Sequence, residues 1–298
     1  MWSGLDLDGW DTRDMARAMR WPVDVVGGGH GACDQGVQVL RDVNLTDAAL
    51  AFGGMNAHSG AATSRTLMLA ELSALLAGTP AGAVKDAYKA AVIDDNVLLK
   101  PSAGTRAKTY AYLRDRFALD PDVPVFGLLR LLWNRDPSGR PLVAVLVASS
   151  RDPLLRATFP ALIAYEPDQP VSSRSLGQAI ENAVPGRFND KTIKATGARV
   201  VSTYKQSGHL RGRSKVYRQR VTPTPGSVTV ALLFAALGGA GGLALLDSDW
   251  VRVLDSPGER VLAEARIAAS RGWLEIRQAG DVLDISFDRL LASLGGPR

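Results

Sequence analysis

Residues 187–220 concentrate the positive charge of the chain in one segment. Ten of them are Lys or Arg and the only acid is Asp190, which gives the segment a net charge of +9. The whole 298-residue chain carries +5, so the remaining residues sum to −4. A basic patch of this kind is typical of a surface that binds a polyanion, most often nucleic acid.

The first half of this segment predicts a helix with two unlike faces. Asn189 is a candidate N-cap, Asp190 in the first turn suits the helix dipole, and Gly208 is expected to end the helix. At helical spacing, the apolar face contains Ile193, Gly197, Val200, Val201 and Tyr204. The opposite face is basic and small, with Lys191, Lys194, Ala198, Ser202 and Lys205.

The flanking sequence predicts the rest of a winged helix-turn-helix. A shorter helix is expected over residues 172–183, with Ser173 or Ser175 as its cap and a break at Pro185-Gly186. Residues 209–220 predict a β-hairpin with Gly212 in or near its turn. In a winged helix-turn-helix the second helix lies in the major groove of DNA and the wing touches the backbone.

The candidate nucleic-acid-binding residues follow from this arrangement. We expect lysines of the helix to face the groove, Asn189 and Thr192 to be base or phosphate contacts, and His209 to donate to phosphate. The full set is Arg187, Asn189, Lys191, Thr192, Lys194, Arg199, Lys205, His209, Arg211, Arg213, Lys215, Arg218 and Arg220. Three alternatives stay open: a merely solvated basic helix, a face that docks an acidic protein, and a repressor with strong sequence preference.

The remaining chain predicts a mainly α protein in which helical bundles accompany short hairpin wings. Residues 55–166 are expected to form an N-terminal helical bundle, 167–224 the basic winged helix-turn-helix, and 225–298 a C-terminal winged-helix-like domain. In that last domain, residues 226–246 carry no charge over 21 positions. This length would suit a membrane span, but the glycines at 238–242 favour a buried helix followed by a turn.

Residues 1–54 differ in composition from the rest. They contain three of the six Trp and the single Cys, and no helical or alternating period persists in them. We expect an extension or flexible arm, with Met55 as a candidate natural start.

The sequence predicts neither an enzyme nor a metalloprotein. The common catalytic motifs are missing, and three His with one Cys do not make a metal cluster. We therefore expect no cofactor and no metal. A single cysteine also fits the reducing cytoplasm.

Several short strings resemble the BrxA family of BREX phage-defence systems. They occupy residues 64–67 (SRTL), 95–98 (DNVL) with 102–106 (SAGTR), 151–156 (RDPLLR) and 206–210 (QSGHL). The resemblance covers about residues 60–290 and implies a helical protein with winged-helix DNA binding. It also implies a non-catalytic subunit that binds double-stranded DNA beside a methyltransferase, an ATPase and a phosphatase-like protein. No catalytic residues are carried over.

Overall fold

The computed structural model describes residues 45–56, 65–280 and 282–295. Within these ranges the chain is mainly α-helical with two short antiparallel hairpins, which confirms the fold class predicted from the sequence. Residues 1–44 of the predicted N-terminal extension lie outside the described residues, and so does Ser64, the first residue of the string at 64–67.

The N-terminal part is a bundle of helices whose starts are set by local chemistry. Ser102 caps one helix by accepting from the amide of Thr105, and Asp152 caps another by accepting from those of Leu154 and Leu155. A 3-10 turn at Pro137–Gly139 joins two of the helices. They are α1 (Asp47–Ala51), α2 (Leu69–Gly78), α3 (Lys85–Ile93), α4 (Ala103–Phe117), α5 (Pro124–Arg135), α6 (Arg140–Arg151), α7 (Pro153–Arg156) and α8 (Phe159–Ile163).

The basic part consists of two helices and a hairpin, in the predicted order. They are α9 (Ser173–Ala183), α10 (Asp190–Gln206), β1 (Leu210–Arg211) and β2 (Tyr217–Arg218). The cap of α9 is Ser172, which accepts from the amide of Ser175 at 3.1 Å, rather than the predicted Ser173 or Ser175. On its other edge, β2 is paired by the stretch before α9, where the amide of Val171 donates to the carbonyl of Val216 at 2.9 Å.

The C-terminal part contains more helices and the second hairpin. A 3-10 turn at Gly242–Leu245 follows its first helix. Its elements are α11 (Pro225–Leu237), α12 (Asp249–Arg252), α13 (Gly258–Ser270), β3 (Glu275–Ala279), β4 (Val282–Ser286) and α14 (Asp288–Gly295). The sequence did not predict α14, whose Leu290 and Leu291 are buried.

The core lies where α6 packs against α11. Nine consecutive residues of α6, 142–150, are buried, and so are twelve of the thirteen residues of α11. A helix that is apolar all round belongs in the middle of a protein. The buried-helix interpretation of residues 226–246 is therefore correct, and among the described helices none combines the length and hydropathy that crossing a bilayer requires.

One hydrophobic cluster runs through all three predicted domains. It includes Leu128 of α5, Ile180 of α9, Val201 of α10, and Val261 and Ala265 of α13. The boundaries predicted at 166 and 224 therefore mark segments of chain that share one core.

Residues 45–56 also belong to this core. Phe52 is 1% exposed and its ring meets that of Phe234 edge-on at a centroid distance of 6.3 Å. The amide of Met55 donates to the carbonyl of Ser150 at 2.9 Å. The predicted arm is therefore wrong for residues 45–54, because a buried aromatic ring and a capped helix fix them to α6 and α11.

Candidate nucleic-acid interface

The position of α10 is set by a close crossing with α9. A Cβ added at Gly197 would lie 2.1 Å from the carbonyl oxygen of Ser173 and 3.0 Å from the amide nitrogen of Gly177. At Gly177 an added Cβ would meet Ile193 at 3.1 Å. The backbones can approach this closely only because both crossing residues lack a side chain.

The far end of α10 is anchored through Tyr204. This residue is fully buried, and its hydroxyl lies 2.7 Å from that of Thr158, between α7 and α8. Burial raises the pKa of the phenol, so it stays neutral and keeps this hydrogen bond. With the glycine crossing, the anchor prevents α10 from rotating and so determines which of its faces meets solvent.

The predicted division of α10 into two faces is confirmed. Gly197, Val200 and Tyr204 are buried, whereas Lys191 and Lys194 are exposed and Lys205 is half-buried. Asn189 caps the helix by accepting from the amide of Thr192 at 2.9 Å. The side-chain oxygen of Asn189 thus makes the capping bond, while the residue stays exposed and its side-chain amide can donate to a ligand.

The loop of the first hairpin extends this basic face. Arg213 and Lys215 in the loop are exposed, as is Arg220 just after β2. The ammonium of Lys205 donates to the carbonyl of Arg213 at 3.4 Å. This contact joins the solvent side of α10 to the loop. Gly212 has φ +102° and no room for a Cβ, so the sharp turn of the loop requires glycine.

Arg211 is exposed but paired. Its guanidinium lies 2.6 Å from the carboxylate of Asp168 and 5.7 Å from the ring centre of Tyr217. The side chains of the ion pair are 54% and 74% exposed, so water and salt screen the attraction. Arg211 can therefore exchange Asp168 for a phosphate.

Arg218 is not a surface residue, and its prediction as a backbone contact is wrong. It is 2% exposed and forms an ion pair with Asp255. Its guanidinium also donates to the carbonyls of Leu162, His209 and Gln219 at 3.2, 3.2 and 2.6 Å. Leu162 and Asp255 lie 56 and 37 positions from Arg218, so the sequence near Arg218 did not indicate its burial.

His209 is not available to phosphate either, so its predicted role is also wrong. The ring is fully buried, with Nδ1 2.8 Å from the hydroxyl of Ser207 and Nε2 2.8 Å from the carbonyl of Val253. Because a carbonyl only accepts, Nε2 carries the proton and Nδ1 accepts from Ser207. Burial lowers the pKa of the imidazole to about 4, so His209 is neutral at physiological pH.

The other eleven predicted residues keep at least part of their surface. Arg187 is exposed and lies over the ring of Phe188, while Thr192 and Arg199 are half-buried, Arg199 at the edge of the lysine face. The basic face, as used below, comprises Arg187, Lys191, Lys194, Arg199, Lys205, Arg211, Arg213, Lys215 and Arg220. At 1.5 Å per residue, the 17 residues of α10 make this surface about 25 Å long.

Sequence reasoning missed residues that support or extend this face. Arg174 is exposed in the first turn of α9 and adds another cation to the same unit. Asp168 and Asp255 pair with arginines of the hairpin but lie far from it in sequence, so no local pattern predicted these ion pairs. Glycine inside a predicted helix does suggest a packing role, so Gly177 and Gly197 could have been recognised.

Comparison of the chain with models of protein families, with curated proteins and with solved structures finds no match. In the described part of the chain, no group of three or more His, Cys, Asp or Glu side chains is placed to hold a metal ion.

Several residues of the short strings at 64–67, 151–156 and 206–210 form contacts in the interior of this protein. The side-chain amide of Gln206 donates to the hydroxyl of Thr66 and accepts from the amide of Leu69, at 3.0 and 2.9 Å. Asp152 and Arg156 are buried, and Arg156 donates to the carbonyl of Ser149 at 2.7 Å. These side chains contribute to the fold and lie outside the basic face.

Proposed function

We propose that the protein is a non-catalytic subunit that binds double-stranded DNA, mainly through the phosphate backbone. The observation that carries this proposal is the basic face: nine Lys and Arg side chains with partial or full exposure, contributed by α10, the first hairpin and the residues next to them. The chain outside residues 187–220 has a net charge of −4, so the excess of positive charge comes from this segment.

The shape of the surface suits a duplex. One strand of DNA carries a phosphate about every 3.4 Å, so a face about 25 Å long runs beside about seven of them. A helix fits the major groove and a hairpin loop can follow the adjacent backbone. The hydrogen bond from Lys205 to the loop carbonyl of Arg213 brings the two elements to the same side of the protein, where both could contact one duplex.

The composition of the solvent side of α10 favours backbone contacts over base recognition. Between its lysines it presents Ala198, which is exposed, and Ser202, whose hydroxyl donates to the carbonyl of Ala198 at 3.2 Å. Neither can form the paired hydrogen bonds by which Arg, Asn or Gln distinguish bases. We therefore propose weak sequence preference.

The biological setting that we propose follows from the resemblance to the BrxA family. The protein would act in the cytoplasm of a bacterium with a BREX-type phage-defence system. Its partners there would be a methyltransferase, an ATPase and a phosphatase-like protein. The single cysteine is compatible with that compartment.

The first test is retardation of two unrelated duplexes and one single strand at several salt concentrations. With six to ten phosphate contacts, affinity should fall by about 10³–10⁵ between 50 and 200 mM salt, and both duplexes should bind alike. Strong preference for one duplex would favour a repressor. No retardation at low salt would reject DNA binding and favour an acidic protein partner.

Two matched double charge reversals test whether DNA binds at the basic face. Arg213→Glu with Lys215→Glu should weaken DNA binding at least about tenfold. It should also reduce the slope of log affinity against log salt concentration by about two, because two phosphate contacts are lost. The control is Arg266→Glu with Arg277→Glu, which makes the same change in charge on exposed residues of α13 and β3. Equal losses from both pairs would mean that net charge alone, and not the basic face, governs binding.

A further inference from the structure

The first hairpin is too short to keep a fixed orientation by itself. Each strand has two residues, and the loop between them is exposed. A two-stranded hairpin of this size is marginal by itself in water. The position of its basic loop relative to α10 must therefore come from contacts with the rest of the protein.

A turn in the C-terminal part, residues 253–255, makes such contacts with both ends of the hairpin. On the side of β1, His209 donates to the carbonyl of Val253. On the side of β2, Arg218 pairs with Asp255, whose second carboxylate oxygen accepts from the amide of Val221 at 3.4 Å. The turn thus contacts both strand ends at the base of the hairpin, where they leave the body of the protein.

The geometry of Asp255 makes this contact specific. Asp255 has φ +55°, in the left-handed region, so its backbone is folded to present the carboxylate to the hairpin. Both of its oxygens are occupied by donors. An amide in its place has one acceptor oxygen and would turn an N–H group toward either Arg218 or Val221.

We propose that the turn at residues 253–255 is a latch that positions the basic hairpin, so that Asp255 controls DNA affinity without touching DNA. The proposal assigns Asp255 and Arg218 as positioning residues. It rests on the proposed function only for the effect on DNA, because the immobilisation of the hairpin itself can be measured with no ligand present.

Asp168 offers a matched control for Asp255. Both are aspartates with a left-handed backbone, φ +66° and +55°, and both pair with an arginine of this hairpin. The pair of Asp168 with Arg211 is exposed, whereas that of Asp255 with Arg218 is buried. Asparagine tolerates the left-handed region, so the same substitution can be made at both positions without new backbone strain.

The experiment compares Asp255→Asn with Asp168→Asn in the full chain, after circular dichroism has shown that each is folded. Trypsin cleaves after Arg211, Arg213 and Lys215, and the protease requires local opening of the hairpin. We expect cleavage there to accelerate at least tenfold in Asp255→Asn and to stay within twofold of wild type in Asp168→Asn. DNA affinity should fall at least fivefold in Asp255→Asn, whereas in Asp168→Asn it should stay the same or rise, because that change frees Arg211 for a phosphate and removes one negative charge.

The two readouts separate the two proposals. Unchanged cleavage in a folded Asp255→Asn variant would overturn the latch, whatever the DNA result. Faster cleavage with unchanged DNA affinity would overturn the control of affinity by Asp255. A wild-type protein that binds no DNA would reject the proposed function, and the cleavage result would still test the immobilisation of the hairpin.

If Asp255→Asn does not fold, hydrogen exchange of the wild-type protein decides the question. The amide of Val221 donates to the carboxylate of Asp255, and that of Gln219 donates to the carbonyl of His209, at the base of the latched hairpin. They should exchange at least tenfold more slowly than those of Arg277 and Ala279, which the register of the exposed second hairpin places in hydrogen-bonded pairs. Equal exchange in the two hairpins would overturn the latch.

Discussion

Replacement of Gly197 by alanine tests how α10 is positioned. The new Cβ would lie 2.1 Å from the carbonyl oxygen of Ser173, whereas carbon–oxygen contacts between packed helices settle at about 3.3 Å. The helices would therefore have to separate by about 1.2 Å at their crossing. Overpacking of this kind costs about 1–3 kcal/mol, and the higher helix propensity of alanine returns about 0.5–1 kcal/mol.

We expect Gly197→Ala to lower the free energy of unfolding by about 1–2 kcal/mol, measured by urea denaturation. In a chain of this size that corresponds to a decrease in Tm of about 2–8 °C. DNA affinity should fall as well, because the lysine face of α10 moves with the helix. A test at low salt, where binding is strongest, gives the widest range for this comparison.

Gly104→Ala is the control for this prediction. Gly104 also lies inside a helix, α4, and an added Cβ there meets nothing within 4 Å. This variant should be as stable as wild type or more stable by up to about 1 kcal/mol, with unchanged DNA affinity. Equal stability of Gly197→Ala and Gly104→Ala would refute the close crossing.

Three further predictions concern buried groups. Because the folded state lowers the pKa of His209 to about 4 from 6.5, the unfolded chain binds the proton more readily between these values. Stability from this residue should be complete above pH 6.5 and decrease by about 3 kcal/mol as the pH falls to 4; His209→Gln should show a flatter urea-unfolding profile over that range. Tyr204→Phe removes the hydrogen bond to Thr158 and should cost about 1 kcal/mol in urea denaturation. Phe52→Ala empties a core position and should cost about 3–5 kcal/mol in the same assay.

Each of these predictions has an outcome that would contradict it. Identical pH profiles for wild type and His209→Gln would show that the imidazole is accessible to protons in the native state. An unchanged Tyr204→Phe variant would mean that the hydroxyl has no net role in holding α10. A Phe52→Ala variant as stable as wild type would return residues 45–54 to the status of a loose arm.

Most of the candidate site could be predicted from the sequence because its signals are local. The cap at Asn189, the buried and basic faces of α10 and the turn at Gly212 each depend on residues within a few positions of one another. The charge of the segment required only counting. The predicted helix-helix-hairpin order at residues 172–220 was correct for the same reason.

The tertiary structure decided that Arg218, His209 and Phe52 are buried. Arg218 is buried because Asp255, 37 positions away, and the carbonyl of Leu162, 56 positions away, satisfy its guanidinium. His209 is buried beside the carbonyl of Val253, and Phe52 against the ring of Phe234. A sequence shows that a cation or ring is present, but its burial depends on partners that only the folded chain brings near. The sequence therefore determined where the charge lies along the chain, and the fold decided which charges face solvent and which hold the hairpin.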